Sequence, residues 1–262
     1  MLNVGLIGYG AIGTLLERVL MQHADKIRVA AILRHAGNRT ASDAGVPFID
    51  GVDGLIGAGC AVAIECAGHD AARAYAPALL RRGVDVVVGS IGVMADDAFA
   101  LELDDASQSG GGRLILPAGA VAGLDGLRAA RLAGLESVTY RGRKPPAAWR
   151  GTQAEKLVNL DRLSGPEVFF SGTARDACLQ YPKNANVTAC ISLAGLGFDR
   201  TSVTLEAVPG LVHNEHYIEA NGVFGEMSFI LRGVPSPGKP GTSLLAAYSL
   251  ASAVLGDGAV RA

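Results

Sequence analysis

The sequence predicts an α/β protein in two parts: an N-terminal Rossmann-type, doubly wound parallel sheet and a C-terminal α+β domain with a mixed or antiparallel sheet. Three observations carry this. An apolar strand-type run, residues 2–7, leads into Gly8-x-Gly10-x-x-Gly13 and then into a helical pattern with Leu15, Leu16, Val19 and Leu20 on one face. Apolar runs then alternate with helical patterns as far as about Pro117, as strands and crossover helices do in a parallel sheet. Beyond that point strand-like runs follow one another with turn signals between them, which groups them in a second sheet.

The first strand and turn have the form of a dinucleotide-binding motif. Gly8 permits the tight turn, Gly10 lets the backbone approach a pyrophosphate, and Gly13 lets the helix pack close to the strand. The N–H groups of the helix start, around Ala11 and Ile12, then face the phosphates. In a chain with 35 glycines the spacing alone says little. The strand before it, the helix after it and a second strand at 27–33 complete a unit of about thirty residues, which gives it weight.

Further strands are expected at 61–66, 84–88 and 113–116, with helices at 71–82 and 96–107. The strands lack polar alternation, as parallel strands buried on both faces do. Two loops, Cys66-Ala67-Gly68-His69 and Gly89-Ser90-Ile91-Gly92, fall at carboxyl ends of strands, where open α/β sheets bind ligands. Ala67 and Gly68 let a cofactor pass over the backbone, and Ser90 and His69 are candidate hydrogen-bond donors to it; for both residues a capping or surface role stands equally open. The second strand ends Ala31-Ile32-Leu33-Arg34-His35, without the carboxylate that NAD sites usually place there. Arg34 suits a 2′-phosphate or adenine stacking, so NADP is expected to be accepted as well as NAD, a solvated strand-end charge being the alternative.

In the second part a small-residue helix begins within 118–127, and a strand at 137–141 precedes the Pro145-Pro146 turn. Strands at 202–208, 216–220 and 227–231 read as a hairpin succession, with Pro209-Gly210 and Asn221-Gly222 as turn signals. Three prolines and two glycines make 234–241 irregular. Thr242 is the expected N-cap of a last helix, 243–255, that returns to the first domain. The domains are thus 1–119, completed by 242–262, for the dinucleotide, and 120–241 for substrate and dimerisation.

At 262 residues, 49% hydrophobic and 18% charged with a net charge of −2, the chain offers no basic field for nucleic acid. No apolar stretch reaches the roughly eighteen residues needed to cross a bilayer, and the N-terminus enters a strand without a basic leader, so a soluble cytoplasmic protein acting on small molecules is expected. Cys60, Cys66, Cys178 and Cys190 form no Cys-x-x-Cys pair and have no histidine at ligand spacing, so they read as core residues and no metal site is expected.

Two stretches of the second part carry chemistry-bearing residues: Tyr181-Pro182-Lys183-Asn184-Ala185-Asn186-Val187 and His213-Asn214-Glu215-His216-Tyr217. Two amides at a helix start are either caps or pocket groups bonded to something specific. His213 and His216, three apart, face opposite ways on a strand, so they do not both line one pocket.

These motifs, with Gly89-Ser90-Ile91-Gly92-Val93-Met94-Ala95-Asp96, residues 116–125, Asn214-Glu215-His216, residues 222–226 and Pro240-Gly241-Thr242-Ser243, resemble the L-aspartate dehydrogenases associated with NAD biosynthesis, nearly end to end. The resemblance implies that His216 is catalytic, that Ala120 and Asn186 lie at the nicotinamide cofactor, and that the protein is a homodimer. It implies oxidation of L-aspartate through iminoaspartate to oxaloacetate and ammonia, with His216, of near-neutral pKa if little perturbed, moving the proton. Lys183, Asn184, Thr242 and Ser243 are candidates for the substrate carboxylates; Lys183 stands where the family often has arginine. The competing expectations are another two-domain reductase, of the homoserine dehydrogenase or dihydrodipicolinate reductase kind, and a non-catalytic NAD(P)H sensor.

Overall fold

The structure, a computed structural model, describes residues 1–34, 40–236 and 239–256, apart from the side chains of 183 and 239–241. It divides into two compact units, Met1–Pro117 with the C-terminal segment from Ala246, and Ala118–Leu245.

The first unit begins with β1 (Leu2–Ile7), α1 (Ala11–Met21), β2 (Ile27–Leu33), β3 (Phe48–Ile49), α2 (Gly51–Gly57) and β4 (Val62–Glu65). It continues with α3 (His69–Leu80), β5 (Asp85–Val88), a 3-10 turn Ile91–Ala95, α4 (Asp97–Gly110) and β6 (Leu114–Ile115). The six strands form one sheet in the order β3-β2-β1-β4-β5-β6, and each neighbouring pair is parallel. The doubly wound parallel sheet is as expected, with β3 and α2 added where no element was anticipated. Val4, Leu6, Leu16, Leu20, Ile32 and Ile64 are wholly buried in its core. Close packing of α1 on β1 depends on a missing side chain: a Cβ on Gly13 would stand 2.4 Å from the carbonyl oxygen of Gly8.

The second unit contains α5 (Leu124–Ala133), β7 (Leu135–Lys144), a 3-10 turn Pro146–Trp149, α6 (Ala154–Leu157) and β8 (Glu167–Thr173). There follow α7 (Ala174–Gln180), a 3-10 turn Pro182–Asn184, α8 (Asn186–Ala194), β9 (Thr201–Ala207), β10 (Asn214–Gly222), β11 (Gly225–Gly233), β12 (Pro235–Ser236) and β13 (Lys239–Ser243). The main sheet has the order β11-β10-β7-β9-β8 and is mixed, since β7 pairs parallel with β9 and antiparallel with β10. On one face Val138, Tyr140, Gly142 and Lys144 of β7 lie level with Val203, Leu205 and Ala207 of β9 and with His216, Ile218 and Ala220 of β10. Helices α5, α7 and α8 pack against these strands. The opposite face carries a charge network in which Glu206 is held by Arg141 and Arg143, and Glu215 by Arg143 and Arg232.

Three expectations for this unit change. The helix expected within 118–127 starts only at Leu124, because Gly119 and Gly123 take left-handed backbone. Strands β10 and β11 form the expected hairpin, but β9 and β10 are not neighbours: β7, ten residues long, takes the place between them. The proline-rich stretch is not wholly irregular either. It contains the two-stranded ribbon β12-β13, in which Pro235 pairs with Ser243, so Thr242 lies in a strand rather than capping a helix.

The last helix, α9 (Leu245–Leu255), brings Leu250 and Ala251 into the buried core of the first unit, alongside Val4, Leu6 and Ile64. Its Leu245 N–H donates to Ser243 Oγ at 3.3 Å.

Gly13→Ala is expected to lower stability by about 1–3 kcal/mol, the range for forcing an extra methyl into a packed site. Urea unfolding monitored by circular dichroism measures the loss.

Candidate active site

The nucleotide side is built in the first unit around an acid that the sequence reading passed over. Glu65 ends β4 and is wholly buried. Its Oε1 accepts from the backbone N–H of Ala67 at 2.8 Å, from that of Gly68 at 2.7 Å and from Ser90 Oγ at 3.1 Å. Its Oε2 accepts from Ser90 N–H at 2.8 Å. Burial holds the Glu65 carboxyl above its ordinary pKa while these donors pull it down. One carboxylate therefore ties together the two strand-end loops singled out in the sequence, and the hydroxyl of Ser90 is bonded to it.

The glycine turn fits a pyrophosphate. Gly8 has φ +100°, which a side chain rarely adopts, and a Cβ at Gly10 would stand in open space where a ligand can approach the backbone. Gly68 has φ +135° and is open in the same way, directly before His69 at the first position of α3. Tyr9 is fixed within the turn: its hydroxyl donates to Glu17 Oε2 at 2.6 Å, and Ser42 Oγ donates to Glu17 Oε1 at 2.5 Å. The Tyr9 ring meets Phe48 edge-on, and the Arg34 guanidinium lies over the same Phe48 ring, 4.6 Å from its centroid. Arg34 is thus held at the end of β2 by a flat aromatic face. His35, the next residue, lies outside the described residues.

In the second unit His216 is buried at 2% exposure on β10, directly opposite Gly142 of β7. The Tyr140 hydroxyl lies 2.9 Å from His216 Nδ1. Gly142 makes room for that contact, since a Cβ there would stand 2.6 Å from the Tyr140 oxygen. Burial raises the Tyr140 pKa, so the phenol keeps its proton, and donation of that proton to Nδ1 would put the ring's own proton on Nε2. Burial and then the charge of Lys144 lower the His216 pKa to about 3. The near-neutral value expected from the sequence is therefore not found, because the ring is desolvated and sits near a cation.

Lys144 ends β7 with 5% exposure, and its Nζ donates to Asn184 Oδ1 at 2.7 Å. The same nitrogen lies 5.3 Å from the centre of the Trp149 ring. Burial holds its pKa down to about 8. The Asn184 amide is therefore not a helix cap: α8 is entered from Ala185, with no side-chain cap. Asn186, the first residue of α8, is half-buried, and Ala120 is buried in the turn before α5. Strand β13, with Thr242 and Ser243, runs beside the 3-10 turn that carries Asn184. His213 lies just outside β10 and is half-buried.

Residues 8–117 match the NAD binding domain of homoserine dehydrogenase, and residues 125–256 match the C-terminal domain of aspartate dehydrogenase. An L-aspartate dehydrogenase of Ruegeria pomeroyi is 48% identical over 196 residues, 75% of this chain and 71% of its own. Another, of Cupriavidus necator, is 41% identical over 257 residues, 97% of either chain. The chain belongs to the aspartate dehydrogenase family. The aspartate dehydrogenase of Thermotoga maritima, 24% identical, shares the fold with a TM-score of 0.76, covering 100% of this chain and 99% of its own.

The family resemblance read from the motifs is borne out, as is the expectation of NAD or NADP as cofactor. Within this aspartate dehydrogenase family chain, sequence reasoning missed Glu65, Tyr140 and Lys144. Each left a signal: Glu65 is a lone acid closing an apolar strand, and Tyr140, Gly142 and Lys144 keep the two-residue period of a strand face. Among the described residues no cluster of metal-ligating side chains occurs, and no helix is long and apolar enough to cross a membrane.

Glu65→Gln is expected to turn a donor against the N–H groups of the two loops and to cost about 1–3 kcal/mol, read as a lower melting temperature. The unfolded chain binds a proton at His216 below the ordinary 6.5, whereas the folded chain binds it only near 3. Stability is therefore expected to fall as pH drops through that window, by up to about 1.4 kcal/mol per pH unit from this residue. Urea midpoints compared between roughly pH 7 and pH 4 should show a shallower fall for His216→Gln.

Proposed function

We propose that the protein is an NAD(P)-dependent L-aspartate dehydrogenase that interconverts L-aspartate with oxaloacetate and ammonia through iminoaspartate. The observation that carries this reading is the buried polar group on one face of the second sheet, His216 held by Tyr140 and flanked by Lys144, which donates to Asn184, in a chain 41% identical to an L-aspartate dehydrogenase over nearly its whole length.

In the amination direction oxaloacetate, ammonium, the reduced nucleotide and one proton give aspartate, water and the oxidised nucleotide. The nucleotide supplies the hydride that reaches Cα. His216, neutral and carrying its proton on Nε2, donates a hydrogen bond to the oxygen at the reacting carbon, which polarises the ketone for attack by ammonia and assists departure of the hydroxyl. In the reverse direction the same contact orients the attacking water. The Tyr140 hydroxyl holds the ring in the required tautomer and rotamer.

The pyrophosphate would rest against Gly8 and Gly10 and the N–H groups of Ala11 and Ile12, with Gly13 keeping the helix close to the strand. Ala67, Gly68, His69 and Ser90 form the wall that Glu65 braces, and Arg34 receives the adenosine end. Ala120 and Asn186 would hold the nicotinamide, and Asn184, Thr242 and Ser243, with Lys183, would serve the substrate carboxylates. The protein works as a cytoplasmic homodimer on small molecules, without nucleic acid, and its imine product feeds pyridine nucleotide biosynthesis; the net charge of −2 supports the exclusion of nucleic acid.

With purified protein, oxidation of NADH or NADPH is expected to require both oxaloacetate and ammonium; oxidation without ammonium would make the enzyme a keto-acid reductase instead. His216→Ala is expected to keep its circular dichroism and its quenching by NADH while losing about 10²- to 10⁴-fold in turnover. Retained turnover would remove His216 from the chemistry.

A further inference from the structure

Among the described residues Lys144 is the one lysine or arginine that is buried, and a cation is costly to bury. Its surroundings set it facing a polar group. The stem runs to the Trp149 ring, and Nζ reaches Asn184 Oδ1 at 2.7 Å, on a half-buried residue at the end of a 3-10 turn. The Tyr181 ring packs edge-on against Trp149, with centroids 6.4 Å apart, and the Tyr181 hydroxyl is buried without a hydrogen-bond partner among the described residues. Lys144 Nζ is a cationic donor on the same sheet face as His216 and close enough for its charge to act on that ring, and such a pair suits an anion.

The register adds a length. His216 stands opposite Gly142, and Lys144 is two residues further along β7 on the same face. Two residues of strand span about 7 Å. A four-carbon diacid that is hydrogen-bonded at its reacting carbon and again at its far carboxylate covers that order of distance. We propose that Lys144 binds the far carboxylate of the substrate and so makes the site select dicarboxylates over monocarboxylates. This rests on the aspartate dehydrogenase reading. A pKa of about 8 leaves the amine as ammonium at neutral pH, as the role requires.

The test compares wild type with Lys144→Met and Lys144→Arg, using oxaloacetate and pyruvate, each with ammonium and reduced nucleotide. Pyruvate lacks the far carboxylate. Lys144→Met is expected to lose about ten- to hundredfold in kcat/KM for oxaloacetate, mostly through KM, which is the range for removing a charge-assisted hydrogen bond. Its loss on pyruvate should be smaller, so that the ratio of kcat/KM for oxaloacetate to that for pyruvate falls at least about fivefold, and Lys144→Arg should recover part of that ratio. The melting temperature of Lys144→Met should equal or exceed that of wild type, since an apolar side chain then fills a buried site.

Equal loss on both keto acids, or an unchanged preference, overturns the proposal. If Lys144→Met does not fold, Lys144→Gln, which keeps a donor for Asn184 without the charge, gives the same readings. A wild type that fails to use oxaloacetate with ammonium refutes the aspartate reading instead. Succinate then still tests Lys144: a thermal shift with wild type that Lys144→Gln lacks supports the carboxylate site, and equal shifts in both overturn it.

Discussion

The contact between the Tyr140 hydroxyl and His216 Nδ1 sets much of the second unit's design. It exists because β7 pairs with β10 in a register that puts His216 opposite a glycine. A side chain at position 142 would occupy the space of the phenol oxygen, so strand pairing, glycine and hydrogen bond stand or fall together. A one-residue slip of β10 would turn His216 to the other face of the sheet, among the arginines and acids of the charge network. Register is therefore a condition of the chemistry as well as of the core.

That contact also decides what the histidine does. A free imidazole titrates near neutrality and exchanges protons readily, whereas a buried one beside a cation, with Nδ1 held by a phenol, rests neutral. Such a ring polarises an oxygen rather than collecting a proton. The change from the expectation drawn from the sequence comes from desolvation and a neighbouring charge, and neither is visible in a string of residues.

What was legible followed local rules. The parallel sheet could be read because each strand, its turn and its helix carry their own signals within about thirty residues, and the hairpin of β10 and β11 because Asn221-Gly222 lies at its turn. The place of β7 between β9 and β10 was not legible, since it depends on partners more than fifty residues apart, as in the pairing of Val138 with Thr201 and of Ala220 with Val138. Lys144 was hidden for the same reason. It stands three residues past the strand expected at 137–141, and the pairing with Ala207 and the approach of Asn184 take it inside. Glu65 was closer to being readable, because an acid that ends a run of Val-Ala-Ile and precedes Cys66-Ala67-Gly68 has few exposed places to go.

The buried Glu65 and Lys144 differ in what satisfies them. Glu65 receives four hydrogen bonds from three residues of its own unit, mainly from backbone N–H groups that need an acceptor wherever the loops are held. It is spent on shape, because replacing it disturbs the loops before it touches any ligand. Lys144 is fixed at one end by β7 and directed by the amide of a half-buried residue, and an ammonium group has three protons to give. An amide oxygen is a weak partner for a desolvated cation, whereas a carboxylate is a strong one. The physical difference between the two buried charges thus lies in what they meet: Glu65 accepts mainly from backbone N–H groups that the loops must satisfy, whereas Lys144 Nζ donates to a side-chain amide on a half-buried residue.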